Sequence, residues 1–115
     1  MKRVLFVDDD RDLLDALRRV LRRDRTRWDM VFVEGPYAAL DALAGASFDV
    51  VVSDMRMPGM SGHELLARVR EEHPHAIRIM LSGNADPGET AIADHYLAKP
   101  CNEQTLRVTL ARVAG

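Results

Sequence analysis

Hydrophobic and polar positions along this chain fall into short blocks that predict strands and helices in alternation. Five apolar runs have the length of strands, at residues 3–7, 28–33, 50–53, 77–81 and 95–98. Apolar residues recur at helical spacing at about residues 11–23, 36–43 and 62–72, and again after Asn102. This alternation predicts an α/β protein with a five-stranded parallel sheet, covered by helices on both faces and joined by right-handed crossovers.

The third apolar run is the most informative one. Residues 50–53 read VVVS, and a run without polar alternation is typical of a strand buried on both faces of a parallel sheet. Asp54 follows directly, and Pro58, Gly59 and Gly62 then break regular structure. Ligands of open α/β sheets bind at the carboxyl ends of strands, so Asp54 lies at a candidate binding edge. Taken alone, an aspartate after a strand is more often a turn or helix-cap residue.

Polar side chains follow four of the five predicted strands at this same edge. They are Asp8 and Asp9 after the first strand, Asp54 after the third, Ser82 after the fourth and Lys99 after the fifth. Neighbouring carboxylates raise one another's pKa, and a bound cation is the usual relief. Oxygen ligands suit Mg²⁺ better than zinc, so a magnesium site is predicted. A magnesium ion, the amine of Lys99 and the hydroxyl of Ser82 around one carboxylate form a receptor for a phosphoryl group that is transferred to Asp54.

Composition narrows the class of protein further. The 115 residues suffice for one domain, residues 1–115, with a single compact fold. A net charge of −2 gives no general attraction to nucleic acid or membranes, and the six arginines within residues 18–27 are interpreted as a solvated helix end. The one cysteine, Cys101, excludes an intrachain disulfide and favours the cytoplasm. The amino-terminal residues are too polar for a signal peptide or a membrane span.

Four motifs make the chain resemble the receiver domains of two-component response regulators. They are VLFVDDD, VVSDMRMPGMSG, MLSG and YLAKP, in the order of that family and spread over essentially the whole chain. The resemblance implies a CheY-like, flavodoxin-like fold and a cytoplasmic phosphoprotein of phosphorelay signalling, which is not an enzyme. It implies that Asp54 takes a phosphoryl group from a sensor histidine kinase or phosphotransfer protein.

The resemblance also implies a role for each residue of the predicted site. The Mg²⁺ ligands would be Asp8, Asp9, Asp54 and the backbone carbonyl of Arg56, with Asp8 acting mainly through water, whereas Asp10 would begin the first helix. Ser82 would hydrogen-bond one phosphoryl oxygen, and Lys99 would pair with another. Phosphorylation would draw Ser82 toward the new charge and let Tyr96 turn inward, and this switch would control an output domain or a partner.

The chain departs from the family between Ser82 and Lys99, where it is a few residues shorter than usual. The missing residues fall on the fourth helix, so we predict a shortened or irregular helix between Asn84 and Asp94. Receivers commonly use the face that contains this helix for dimerisation and output. The sequence therefore neither predicts nor excludes a homodimer. Because the sequence stops soon after its last helix, we expect no output domain in this chain. The motifs also resemble receivers that precede HD-GYP-type or HDOD-type domains.

Three other interpretations of the acidic residues were weighed. Spacing of Asp8, Asp10 and Asp12 suits a calcium loop, but Leu13 and Arg19 stand where glycine and glutamate are needed. A haloacid-dehalogenase-type phosphatase also has strand-end aspartates, although its motif requires a different residue at position 12. A receiver-like adaptor that works without phosphorylation is the third alternative. Phosphate incorporation from a small donor distinguishes the receiver from the last two.

Overall fold

Five parallel strands form one sheet in the computed structural model, which describes residues 1–83, 92–99 and 102–115. In the order β2-β1-β3-β4-β5, the sheet contains β1 (Lys2–Asp8), β2 (Trp28–Glu34), β3 (Val50–Asp54), β4 (Ile77–Ser82) and β5 (His95–Ala98). The helices of the described residues are α1 (Arg11–Val20), α2 (Pro36–Gly45), α3 (Gly62–Glu72) and α4 (Glu103–Ala114). The doubly wound parallel fold predicted from the sequence is therefore confirmed.

The sheet separates two apolar cores, and the central strand β3 contributes to both. Val51 packs with residues of α2 and α3 on one face, whereas Val50 and Val52 pack with residues of α1 and α4 on the other. All five residues of β3 are buried, as the unbroken run of valines predicts. A strand fixed from both sides holds the residue at its carboxyl end, Asp54, in one place.

Side-chain caps start three of the helices where the sequence predicts them. Asp10 accepts hydrogen bonds from the backbone N–H groups of Asp12 and Leu13, Ser61 accepts one from Glu64, and Asn102 accepts one from Thr105. The expected short helix between Asn84 and Asp94 falls mainly on residues 84–91, outside the described residues. Pro100 and Cys101 also lie outside them.

The first helix ends three residues earlier than the predicted residue 23. It stops at Val20, and a 3₁₀ turn, Arg22–Asp24, follows. The reason is a tertiary contact: Asp24 is 2% exposed, and its two carboxylate oxygens accept hydrogen bonds from Nε and Nη2 of Arg107 in α4 at 2.8 and 3.1 Å. A buried carboxylate needs such a partner, and continuing α1 would remove Asp24 from it.

This ion pair gives a pH-dependent prediction. The hydrogen bonds from Arg107 hold the pKa of Asp24 below its usual value, so the pair stabilises the fold above about pH 4. As the pH falls through the lowered pKa, that contribution is lost. We expect Arg107→Met to lower the melting temperature at pH 7 and to converge with the wild type in acid. The exposed Arg112→Met on the same helix is the control, and a difference that is independent of pH would contradict the assignment.

Candidate functional site

Asp54 is positioned by the end of β3 and by its neighbour β4. The backbone N–H of Met55 donates to the carbonyl of Leu81 at 3.0 Å, which closes the sheet beside Asp54. The Asp54 side chain is 12% exposed, and Oδ1 accepts hydrogen bonds from the Met55 N–H at 3.0 Å and from Nζ of Lys99 at 2.9 Å. Within the described residues Oδ2 accepts no hydrogen bond, and it reaches solvent. Oδ1 of Asp54 is thus fixed by two hydrogen bonds, whereas Oδ2 is accessible.

Lys99 joins two carboxylates that are far apart in sequence. Its Nζ lies 2.9 Å from Oδ1 of Asp54 and 3.1 Å from Oδ2 of Asp8. Its backbone N–H donates to the carbonyl of Ser82 at 2.8 Å, which anchors the end of β5 to the end of β4. Burial alone would lower the pKa of Lys99, but its hydrogen bonds with Asp54 and Asp8 outweigh burial and raise that pKa. The lysine is therefore a permanent positive charge at neutral pH.

The aspartates after β1 lie beside Asp54, as the sequence predicts. Carboxylate oxygens of Asp8, Asp9 and Asp54 all lie within 4.8 Å of one another. Asp8 is buried and accepts a hydrogen bond from the Asp10 N–H at 2.9 Å, whereas Asp9 is exposed. Burial raises the pKa of Asp8, and the negative charge of Asp54 adds to the increase despite the opposing contacts with Lys99 and the Asp10 N–H. Such an all-oxygen group with one solvated member fits Mg²⁺.

Ser82 and Tyr96 are linked at the end of β4. Ser82 is buried, and its hydroxyl donates to the sulfur of Met55 at 3.4 Å. The hydroxyl of half-buried Tyr96 donates to the backbone carbonyl of Ser82 at 3.0 Å. The two residues to which the family resemblance assigns the switch are therefore in direct contact.

A small cavity lies next to Asp54. It has a volume of about 140 Å³ and is lined by Asp54, Met55, Arg56, Ser82 and Gly83. One water molecule takes up about 30 Å³ in the liquid, so the cavity has room for a larger group than a single water. Its lining brings together three of the residues predicted for the site: the candidate acceptor, the hydroxyl and the loop residue Arg56.

Gly62 lies against Asp54, although the sequence predicts for it only a break in regular structure and the start of the third helix. A Cβ atom at this position would collide with the backbone carbonyl oxygen of Asp54, and the Gly62 N–H donates to the carbonyl of Met55 at 2.7 Å. The first turn of α3 therefore packs directly on the backbone of Asp54. The only sequence signal was a glycine after a strand-end aspartate, and its close approach required the fold to be known.

Substituting this glycine should disturb the acceptor. We expect Gly62→Ala to displace the backbone at Asp54 and to destabilise the fold by about 1–3 kcal/mol, the usual cost of overpacking. Urea denaturation gives the free energy of unfolding. As a control, Gly45→Ala adds a methyl group at the end of α2, where nothing lies within 4 Å. Equal stability of the two variants would show that α3 can move away from Asp54 at no cost.

The histidines do not join the site. His75 contacts Ser47 through Nε2 at 3.0 Å, and its ring lies edge-on to His73, with ring centroids 6.3 Å apart. In residues 1–83, 92–99 and 102–115, Asp8, Asp9 and Asp54 form the one group of three or more potential metal ligands close enough to share an ion. No helix in those ranges is both long and apolar enough to cross a membrane.

Fold and site together define a phosphoacceptor domain of signalling proteins, and sequence comparison identifies its family. The sequence profile of the response regulator receiver domain matches residues 4–111, and the chain belongs to this family. It is 38% identical over 117 residues to the response regulator protein FleR of Pseudomonas aeruginosa, covering 97% of this chain and 24% of FleR. It is 40% identical over 84 residues to FixJ of Bradyrhizobium diazoefficiens, a transcriptional regulatory protein, covering 72% of this chain and 40% of FixJ.

Solved structures agree with this assignment. The signal receiver domain of an HD domain-containing protein from Pseudomonas fluorescens superposes with a TM-score of 0.89 at 30% identity, covering 97% of this chain and 93% of that one. The response regulator TrrA of Thermotoga maritima, in complex with Mg²⁺ and BeF, superposes with a TM-score of 0.87 at 27% identity. The match covers 98% of this chain and 99% of the TrrA chain. The chain is thus similar to CheY-like receiver domains, which bind Mg²⁺ in an acidic pocket and take phosphate from histidine kinases.

Proposed function

We propose that Asp54 is the residue of this receiver domain that accepts the phosphoryl group. The observation that carries the proposal is the contact of one ammonium group, Nζ of Lys99, with both Asp54 and Asp8, at 2.9 and 3.1 Å. Asp8 has both oxygens engaged, by the Asp10 N–H and by Lys99. Asp54 keeps Oδ2 accessible, and the cavity of about 140 Å³ lies beside it. These differences favour Asp54 over Asp8 as the nucleophile.

Transfer to Asp54 exchanges one bond at phosphorus for another. Oδ2 supplies the electron pair for the new O–P bond, and the P–N bond to the imidazole of a phosphohistidine donor breaks with its electron pair leaving on nitrogen. The imidazole departs as a neutral ring when its other nitrogen carries a proton. Nζ of Lys99 pairs with one oxygen of the transferred group, and the hydroxyl of Ser82 donates to another. The product is an acyl phosphate on Asp54.

We propose that Asp8, Asp9, Asp54 and the backbone carbonyl of Arg56 hold Mg²⁺. Oxygen donors and the solvent-exposed position of Asp9 suit an ion that keeps part of its water. When bound, Mg²⁺ supplies positive charge against the phosphoryl oxygens. Its charge also relieves the repulsion between Asp8 and Asp54, which contributes to the raised pKa of Asp8.

The signal leaves the site through Ser82 and Tyr96. A phosphoryl group on Asp54 attracts the Ser82 hydroxyl away from the sulfur of Met55, and the carbonyl of Ser82 moves with it. Because Tyr96 donates to that carbonyl at 3.0 Å, its ring follows the movement. The chain spans about a quarter to two fifths of the length of FleR and FixJ. We propose that the switch controls an output domain or a partner in the cytoplasm. The phosphoryl group comes from a phosphohistidine of a sensor histidine kinase or phosphotransfer protein.

Phosphorylation by acetyl phosphate, a small phosphodonor, tests the proposal. With Mg²⁺ we expect intact-mass spectrometry to detect one phosphoryl group per chain, and hydroxylamine to release it as it does from acyl phosphates. Chelating Mg²⁺ should remove most of the signal. Steady release of phosphate that requires Asp8 and survives loss of Asp54 would identify a phosphatase instead. A folded wild-type chain that incorporates no phosphate would be an adaptor.

A further inference from the structure

A basic surface lies at the end of the domain opposite to Asp54. Six of the 16 lysines and arginines fall within residues 18–27, at the end of α1 and in the turn after it. The register places Trp28 beside Lys2 at the start of β1, whereas Asp8 ends that strand at the phosphoryl site. The ten residues of α1 span about 15 Å between the two edges. The basic surface is therefore too distant to contact a group on Asp54.

Three of these arginines are available for an external anion. Intramolecular ion pairs engage the other three: Arg18 with Asp15, Arg23 with Glu103, and Arg27 with Asp24. Within the described parts of the chain, Arg19, Arg22 and Arg25 have no salt-bridge partner, and all three are exposed. They line one groove with a volume of about 610 Å³. We name Arg19, Arg22 and Arg25 the arginine triad.

The turn that carries Arg22 and Arg25 is held in place from inside, and Arg19 lies on the last turn of α1. Asp24 is the only acidic residue within residues 18–27, and its buried carboxylate is bound by Arg107 through two hydrogen bonds. Its backbone N–H donates to the carbonyl of Leu21 at 2.9 Å, and its carbonyl accepts from Arg27 at 2.9 Å. Asp24 thus fixes the turn while its own charge is directed inward. The triad presents its charge from a preorganised backbone, which lowers the entropic cost of binding.

The aromatic residues near the triad argue against nucleic acid as the ligand. Single-stranded nucleic acids bind by stacking bases on exposed rings. Trp28 is 1% exposed and is covered by the guanidinium of Arg27, 4.6 Å from the ring centroid. Phe32 stacks on Phe6 and is covered by Arg18. No ring of this group offers a free face, whereas unpaired guanidiniums bind carboxylates well because their donors match two oxygens.

We propose that the arginine triad binds an acidic, Asp- and Glu-rich segment of a partner protein. Binding occurs through salt bridges in the groove beside α1 and does not involve the phosphoryl site. The domain then has two independent contacts with other proteins: one at the edge of Asp54, and one at the opposite edge of the sheet. An acidic partner can stay bound there whether or not Asp54 is phosphorylated.

Calorimetric titration with an oligoglutamate peptide at physiological salt tests this proposal. We expect the variant Arg19→Gln/Arg22→Gln/Arg25→Gln to bind about tenfold more weakly, since three surface ion pairs are lost together. The control Arg68→Gln/Arg70→Gln/Arg112→Gln removes the same charge from other exposed positions and should bind as the wild type does. Both variants should still be phosphorylated by acetyl phosphate at the wild-type rate, which verifies their fold.

Three outcomes would overturn the proposal. The first is an equal loss of affinity in both triple variants, because net charge alone would then explain the binding. The second is wild-type affinity in the triad variant. The third is tighter binding of an oligothymidylate of equal charge, or of phosphatidylserine vesicles, than of oligoglutamate. The last result would assign the surface to nucleic acid or to membranes.

Discussion

Asp54→Asn is expected to abolish phosphate incorporation from acetyl phosphate. Asparagine keeps the size of the side chain, but its neutral amide is a far weaker nucleophile than a carboxylate and cannot form an acyl phosphate. Loss of the nucleophile removes the reaction altogether instead of slowing it, so no adduct should be detected at any time point by intact-mass spectrometry. The matched control is Asp41→Asn, which removes one exposed carboxylate from α2 and should be phosphorylated as the wild type is.

The same variant gives a second readout that does not depend on the reaction. The negative charge of Asp54 contributes to the raised pKa of Asp8, although burial is the larger cause. In Asp54→Asn this repulsion is gone and Lys99 can pair with Asp8 alone, so the pKa of Asp8 should fall, as measured by NMR titration of the carboxyl carbon. An unchanged pKa would mean that the two carboxylates do not interact. Incorporation that persists in Asp54→Asn would place the acceptor elsewhere.

The sequence predicts most of this fold because its local patterns agree with its tertiary structure. The valines of β3 are buried on both faces, as their lack of alternation indicates. Three helices begin directly after a residue whose side chain caps them, namely Asp10, Ser61 and Asn102. Single residues therefore predict where these helices start. Agreement between local signals and packing is typical of a natural, foldable sequence.

Local sequence patterns do not predict the contacts between distant parts of the chain. The end of α1 is set by Arg107, 83 positions after Asp24, and helical periodicity contains no information about that pairing. The importance of Gly62 rests on the closeness of α3 to the backbone of Asp54, which only the packed structure defines. Motif order indicated that Asp8, Asp54 and Lys99 share one edge, but not that Lys99 bonds to both carboxylates.

That double contact also distinguishes the two oxygens of Asp54. Lys99 and the Met55 N–H both engage Oδ1, so the charge on Oδ1 is stabilised by fixed donors. Oδ2 is not among the buried, unpartnered polar atoms of the described residues, and Asp54 itself lines the cavity together with Arg56 and Ser82. The fold therefore orients the carboxylate of Asp54, the proposed nucleophile, before any donor arrives, and positioning of this kind is the main contribution that a protein makes to phosphoryl transfer. Lys99 is the side chain on which this arrangement most depends.

Lys99→Met should slow phosphorylation of Asp54 by about 100-fold or more, the usual effect of removing one preorganised electrostatic group from a transition state. Methionine retains the apolar stem but cannot pair with a phosphoryl oxygen or with Oδ1 of Asp54. Because the pKa of Lys99 is raised, the wild-type rate should show no loss of this group up to at least pH 9. Affinity for Mg²⁺, measured by calorimetry, should persist or increase, because Lys99 no longer competes for Asp8 and Asp54. A rate equal to that of the wild type would contradict the role of Lys99, and loss of Mg²⁺ binding would point to a collapsed site instead.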